Sequence, residues 1–420
     1  MTASGQPRNL VLCADGTCNA FGHSHSNVSR LLQCIELDRP SIQQVCYDQG
    51  IGTSRGEHER IGTALGHSAG LRLLPPPEDT WRHPKSWKSK IDSMTRGYGL
   101  DTNVSQLYEA MVELYEPGDR VFLFGFSRGA FTVRALAGLM WRYGIPSVQN
   151  RGRAAALFSE AWPMFTNEYP DESGAKANQA KQFFERHGQR DCPIHFMGLW
   201  DTVKSYGGLN PVMLPHLRHN PKVKTVRHAM ALNERRGWFE VTTWGWLDSD
   251  REGDTASSRL SRAEIQEIQQ QNTVEVWFSG CHSDVGGGLL RNGAVDPTAE
   301  IALRWMLGEA KYEGLRLNSA GDDVLAVPPD QERPQPGDSR GLLWKLVEMK
   351  KRQAINNAGQ WPRLFEASRG ASPRQPLNAV RDKTIWHHES IKDTSQFGTM
   401  PDGVTLKPRY TRRAIAAVTK

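Results

Sequence analysis

Hydrophobic positions along the chain fall into two kinds of run. Short, nearly unbroken apolar stretches occur at residues 9–14 (N-L-V-L-C-A), 121–124 (V-F-L-F), 193–200 (P-I-H-F-M-G-L-W) and 274–279 (V-E-V-W-F-S), and 41–47 (S-I-Q-Q-V-C-Y) reads as a further strand. Runs of this length bounded by turn residues are strands covered on both faces, the pattern of a parallel sheet. Between them the apolar period lengthens to that of helices. Residues 27–35 place Val28, Leu31, Leu32 and Ile35 on one face. Residues 101–114 do the same with Leu107, Met111 and Leu114, behind Thr102 or Asn103 as N-cap, and 299–311 is a strong helix. Residues 150–190 are mixed and partly helical, 222–233 fit either a helix or a short strand-turn, and 239–246 alternate like a strand. Residues 255–271 are polar, with a helix over their second half.

Strands alternating with helices predict an α/β fold with a mainly parallel sheet flanked by helices, its functional residues at the carboxyl ends of the strands. Residues 55–100 are rich in Gly, Pro, His and Trp and lack a period, so they are expected to form an insertion, a flap over those strand ends. A Pro-rich stretch at 327–336 divides the chain into an α/β domain over 1–325 and a C-terminal extension over 326–420, packed on or continuing the same domain. There is no internal repeat.

One strand leads into candidate chemistry. After Val121-Phe122-Leu123-Phe124 the chain reads Gly125-Phe126-Ser127-Arg128-Gly129 and then turns helical through Ala130, Ala135, Ala137 and Gly138. A G-x-S-x-G between a buried strand and a helix of small residues is a nucleophile elbow, which exposes the serine at the top of the sheet. The pattern recurs at Gly52-Thr53-Ser54-Arg55-Gly56, but there it follows a glycine-rich loop and precedes a poor helix start, so Ser54 is set aside.

A serine hydroxyl needs a base, and the base a carboxylate, in the chain order Ser, acid, His. His282 lies beyond the 274–279 strand in the loop-like stretch G-C-H-S-D-V-G-G-G. Asp201 closes the 193–200 strand and is the favoured acid. Asp248, with Asp250 beside it, is the alternative one strand later, and Asp284 is too near His282 in sequence. An oxyanion requires backbone donors. The Arg128 N–H follows from the elbow, and the loop Asp15-Gly16-Thr17 after the first strand is placed to supply a second donor from Gly16 or Thr17.

Composition narrows the classes. At 38% hydrophobic and 23% charged, with no apolar run of transmembrane length, the chain reads as an ordinary globular one. Residues 1–7 are short and polar and enter the first strand directly, so no cleaved secretory signal is expected. The six cysteines lack C-x-x-C spacing and read as free thiols. His23-Ser24-His25 has no acidic or cysteine partner nearby, and no metal site is expected. A net charge of +6 is compatible with anionic surfaces and does not indicate nucleic acid. Residues 81–88 and the amphipathic 341–352 could meet a membrane surface or simply rim a core.

Taken together, Asp15-Gly16-Thr17, G-F-S-R-G-A at Gly125 to Ala130, W-D-T-V at Trp200 to Val203 and G-C-H-S-D-V-G-G-G at Gly280 to Gly288 resemble the α/β-hydrolase domain of type VI secretion lipase effectors and its uncharacterised bacterial and fungal relatives. Tyr47-Asp48-Gln49-Gly50-Ile51-Gly52-Thr53 and His228-Ala229-Met230-Ala231-Leu232 add to the resemblance, which spans about residues 9 to 310. Cys18 departs from the commoner Gly or Trp, near the proposed oxyanion loop. The resemblance implies an α/β-hydrolase-like fold and a Ser127, His282, Asp201 triad that cleaves glycerophospholipid acyl esters without a cofactor. It also implies a phospholipid membrane as substrate surface, an immunity protein and a secretion spike as partners, and delivery into a rival cell's periplasm. The competing expectations are an esterase of small soluble esters and a non-catalytic binding module that keeps the fold.

Overall fold

The computed structural model describes residues 7–16, 25–50, 63, 68–75, 99–167, 175–203, 214, 216–217, 219–234, 236, 239, 241–244, 260–288, 290–291, 294–295, 297–327, 384–388, 391 and 405–408. In chain order these form β1 (Asn9–Ala14), α1 (Asn27–Cys34), β2 (Gln43–Asp48), β3 (Leu71–Leu73), α2 (Leu100–Leu114), β4 (Arg120–Phe126) and α3 (Arg128–Tyr143). A 3-10 turn at Val148–Arg153 leads into α4 (Ala154–Thr166) and α5 (Ala175–His187). Then come β5 (Ile194–Trp200), β6 (Val223–Ala231), α6 (Arg262–Gln270), β7 (Asn272–Phe278), α7 (His282–Gly286), the small hairpin β8 (Leu290–Arg291) and β9 (Ala294–Val295), α8 (Pro297–Tyr312), α9 (Ser319–Ala326), β10 (Thr384–His387) and β11 (Thr405–Pro408).

The main sheet has the order β11-β10-β7-β6-β5-β4-β1-β2-β3, and each of its ladders among the described residues is parallel. The chain builds outward from β1 through β2 to β3, then returns to the other side of β1 and builds outward again from β4. This reversal of direction beside β1 is a topological switch point, and open α/β sheets bind their ligands at the carboxyl ends of the strands there.

The unbroken apolar strands are explained by two cores, one on each face. Leu10, Leu12, Val121, Leu123, Met197 and Leu199 point into one, against α2, α3, α4 and α5. Val11, Cys13, Phe122, Phe124, Phe196 and Trp200 point into the other, against α1, α8 and α9. On that second face Phe124 lies 5.5 Å from Phe196 and 6.2 Å from Trp200, ring to ring, so aromatics from neighbouring strands pack as one layer.

Several local expectations are corrected. Of the two readings of 222–233 the helix is wrong, for the segment contains the strand β6, whose nine residues are buried except Lys224. The alternation at 239–246 makes no strand among its described residues. Val241 forms a single bridge to Val203, and the carbonyls of Thr242 and Thr243 are drawn instead to the Arg134 guanidinium, at 2.6 and 2.8 Å. The helix expected from 101 begins at Leu100 behind Gly99, whose φ of 92° ends the preceding backbone with no side-chain cap. Within 55–100, residues 71–73 form the edge strand β3, and most of the remainder, including the 81–88 segment, lies outside the described residues, as does Ser54. Strands β10 and β11, from beyond residue 326, extend the sheet past β7, and the 341–352 segment is also outside the described residues.

Candidate active site

The elbow forms as its sequence requires. Ser127 has φ 57° and ψ −118°, a sparsely populated conformation costing about 1–3 kcal/mol that the surrounding contacts must hold. Its flanking glycines are sterically obligatory. A Cβ on Gly125 would come within 2.6 Å of the Ala130 backbone, and one on Gly129 within 2.1 Å of the Ala14 carbonyl oxygen. The elbow is thereby pressed against the end of β1, bringing the loop beginning at Asp15 beside the serine.

Three of the four candidates for nucleophile, base and acid converge. The Ser127 Oγ lies 2.8 Å from His282 Nε2, and His282 Nδ1 lies 2.6 Å from Asp201 Oδ2. The other carboxylate oxygen, Oδ1, accepts the Ala231 N–H at 2.9 Å. Asp201 is wholly buried, with a φ of 40°, and Ser127 and His282 are 7% and 4% exposed, so this chain of hydrogen bonds is screened from water. The fourth candidate, Asp248, lies outside the described residues.

His282 sits in the first turn of the short helix α7 rather than in an irregular loop. Asp284 accepts the Cys281 N–H at 2.8 Å and closes that turn. The ring packs between Phe126, 4.7 Å away, and Phe239, 4.8 Å away and edge-on. Burial holds the imidazole below its ordinary range, opposed chiefly by the hydrogen bond and charge of Asp201. That direction favours the neutral ring, whose Nε2 faces the Ser127 hydroxyl.

The turn that carries Asp201 is braced by residues to which the sequence reading gave no site role. The Thr202 N–H donates to His228 Nε2 at 3.1 Å, so His228 carries its hydrogen on Nδ1 and donates it to Glu275 at 2.8 Å. Glu275 also accepts the Trp244 N–H, and the Thr242 N–H donates to the Thr202 carbonyl. Arg134, buried in the elbow helix, donates to the carbonyls of Leu217, Thr242 and Thr243, tying α3 to the same brace.

A second brace holds His282. The Gly280 N–H donates to Asn233 Oδ1 at 2.7 Å, and the His282 N–H to Glu234 Oε2 at 3.1 Å. Glu234 pairs in turn with Arg236. The sequence signal was a charged cluster, Asn233-Glu234-x-Arg236, following directly on a strand.

The loop after β1 is organised by Asp15. This buried carboxylate accepts the Gly16 N–H at 2.6 Å, the Ser26 hydroxyl at 2.6 Å and the Tyr47 hydroxyl at 2.7 Å. The Gly16 N–H, expected as an oxyanion donor, is thus directed at the side chain of the residue before it. Arg128 opens α3, where the first N–H groups of a helix have no intrahelical partner. Thr17 lies outside the described residues. No group of three or more His, Cys, Asp or Glu side chains suited to a metal occurs among the described residues.

A buried strand, a strained serine, a helix, and a histidine and aspartate joined to the serine in one hydrogen-bonded file make the arrangement of serine hydrolases on an α/β sheet. Residues 8–309 match the family described as "T6SS, Phospholipase effector Tle1-like, catalytic domain", and the chain belongs to that family of phospholipase catalytic domains of type VI secretion. It is similar to an uncharacterised protein of Saccharomyces cerevisiae, 33% identical over 244 residues, 56% of this chain and 33% of the yeast protein. A solved structure, that of an uncharacterised Pseudomonas aeruginosa protein, matches with a TM-score of 0.38 and 18% identity over 88% of this chain and 53% of that one. The chain thus spans about a third and about half of the lengths of these two proteins. No described helix is long and apolar enough to cross a membrane.

Proposed function

We propose that this chain is a serine esterase that hydrolyses acyl esters of glycerophospholipids, a phospholipase A, with Ser127, His282 and Asp201 as its triad. The observation that carries the reading is the unbroken file from Ser127 Oγ through both ring nitrogens of His282 to Asp201. Ser127 attacks the ester carbonyl while His282 Nε2 takes the hydroxyl proton and returns it to the departing lysolipid alcohol. Asp201 keeps the hydrogen on Nδ1 and stabilises the imidazolium. A water, activated by the same nitrogen, then releases the fatty acid and restores Ser127. No cofactor takes part.

The oxyanion is held by the Arg128 N–H and a donor from the 16–17 segment. Since the Gly16 N–H faces Asp15, the role falls to Thr17, or to Gly16 once substrate draws its N–H from the carboxylate. The substrate class follows from the family: the lipid surface is a bacterial membrane, reached by type VI delivery into a rival's periplasm, with a spike protein as carrier and an immunity protein as inhibitor. Ser127→Ala should lower fatty-acid release from phosphatidylglycerol or phosphatidylethanolamine vesicles by at least about a thousandfold, with the melting temperature kept within a few degrees. Full residual activity would remove Ser127 from the role. Asp201→Asn should lose most turnover and Asp248→Asn little, the reverse result moving the acid to the later position. Preference for short soluble esters, with no gain from vesicles, would favour a small-ester hydrolase. Failure of a fluorophosphonate to label Ser127 would favour a binding module.

A further inference from the structure

The file from Ser127 to Asp201 accounts for both ring nitrogens of His282 but not for its backbone or its electrostatic setting. Both lead to the segment just after β6. Glu234, 2% exposed, accepts the His282 N–H through Oε2, and both its oxygens are also shared with Arg236, whose Nε and Nη2 lie 2.9 and 2.8 Å away. The Arg236 backbone N–H adds a fourth bond to Glu234, at 2.7 Å. The Arg236 guanidinium lies 3.7 Å above the ring of Phe239, whose edge meets the His282 imidazole. One buried carboxylate and one cation thus flank the base from the same segment, one through its backbone and one through an intervening aromatic ring.

We propose that Glu234 and Arg236 are positioning residues for the base, an ion pair that holds His282 and sets the pH range over which it accepts a proton. The inference rests on the triad reading above. Glu234 favours the imidazolium formed when Ser127 loses its proton, and Arg236 opposes it. Of the other charged groups around His282, Asp201 comes from β5. Asp284, on α7 itself, is turned to the Cys281 N–H. On the helices packed against α7, Arg30 of α1 and Arg304 of α8 both pair with Glu300. His25 precedes α1, where its carbonyl accepts the Gly288 N–H. The direction in which burial moves His282 is opposed by Glu234 and reinforced by Arg236, in keeping with the geometry.

The pair makes a test whose two arms move in opposite directions. Glu234→Gln keeps an acceptor for the His282 N–H but removes the negative charge and leaves Arg236 unbalanced. Arg236→Gln leaves the carboxylate unbalanced instead. The readout is the acid limb of kcat/KM, and of Ser127 labelling by a fluorophosphonate, between pH 4 and 9. In Glu234→Gln the limb should move to lower pH by about half a pH unit or more, with a severalfold loss of plateau turnover and little change in KM. In Arg236→Gln it should move to higher pH. The double variant should return close to wild type, since it removes both fields.

Limbs that stay in place, or that move the same way in both variants, overturn the proposal in favour of a packing role. Should Glu234→Gln fail to fold, the Arg236→Gln arm and a direct NMR titration of the His282 ring decide by the same sign. A wild-type protein that does not label at any pH would instead sink the hydrolase reading itself, so the two failures are told apart.

Discussion

Individual residues here hold states that their intrinsic chemistry disfavours. Ser127 and Asp201 keep positive φ values without being glycine. Asp48 is a further case. It closes β2 with its carboxyl wholly buried, and desolvation pushes it well above the usual carboxylate range, against the Asn103 amide and with the help of the Asp15 charge. A carboxyl raised in the folded state is fully compatible with folding below its unfolded value near 4 and costs stability as pH rises through the folded one. Asp48→Asn, which keeps shape and cannot ionise, should therefore raise the melting temperature at pH 8, with the gain shrinking towards pH 4. A gain independent of pH would mean that Asp48 is not held protonated. The sequence showed Asp48 within a motif but not its burial, which arises only because β2 lies between β1 and β3 beneath α2.

At the scale of elements, the site depends on segments held in register by buried polar side chains. The Arg227–Glu309 pair joins β6 to α8, with side chains 4% and 7% exposed. Removing one partner strands the other charge in the core. Glu309→Ala should destabilise by about 3–5 kcal/mol in denaturant unfolding, and Arg227→Met with Glu309→Leu should recover most of that loss. If the single variant costs under about 1 kcal/mol, the pair is not buried as described. The strand before Ser127, the strand before Asp201 and helix 27–34 were legible because their apolar periods are long and unambiguous. Residues 222–233 and 239–246 were not, for opposite reasons. In β6 the polar residues Arg227 and His228 interrupt the apolar run, yet both are buried by partners on β7 and α8 that lie far away in sequence. In 241–244 the alternation is real, but Arg134 takes the carbonyls a neighbouring strand would need.

For the whole molecule, a net charge of +6 suits the proposed encounter with an anionic lipid surface. Hydrolysis of phosphatidylglycerol vesicles should fall severalfold between about 50 and 500 mM salt, as the Debye length contracts to a few ångströms. Turnover of a short soluble ester should barely change. Equal salt sensitivity of both would place the effect on the chemistry rather than on surface attraction.

The sequence by itself determined the parts that depend on near neighbours. These are the apolar strands, the small-residue helix, the glycine-flanked serine, and the order of serine, aspartate and histidine along the chain. Each is a local pattern, written in residues that touch within a turn or a strand. The tertiary structure alone decided which distant groups meet. It brought Asp201 and His282 together from 81 positions apart, turned the Gly16 N–H to Asp15, and set Glu234 and Arg236 against His282 and His228 and Glu275 behind the Asp201 turn. Those contacts arise from strand order and from the burial of charges that must find partners, and no local period encodes either.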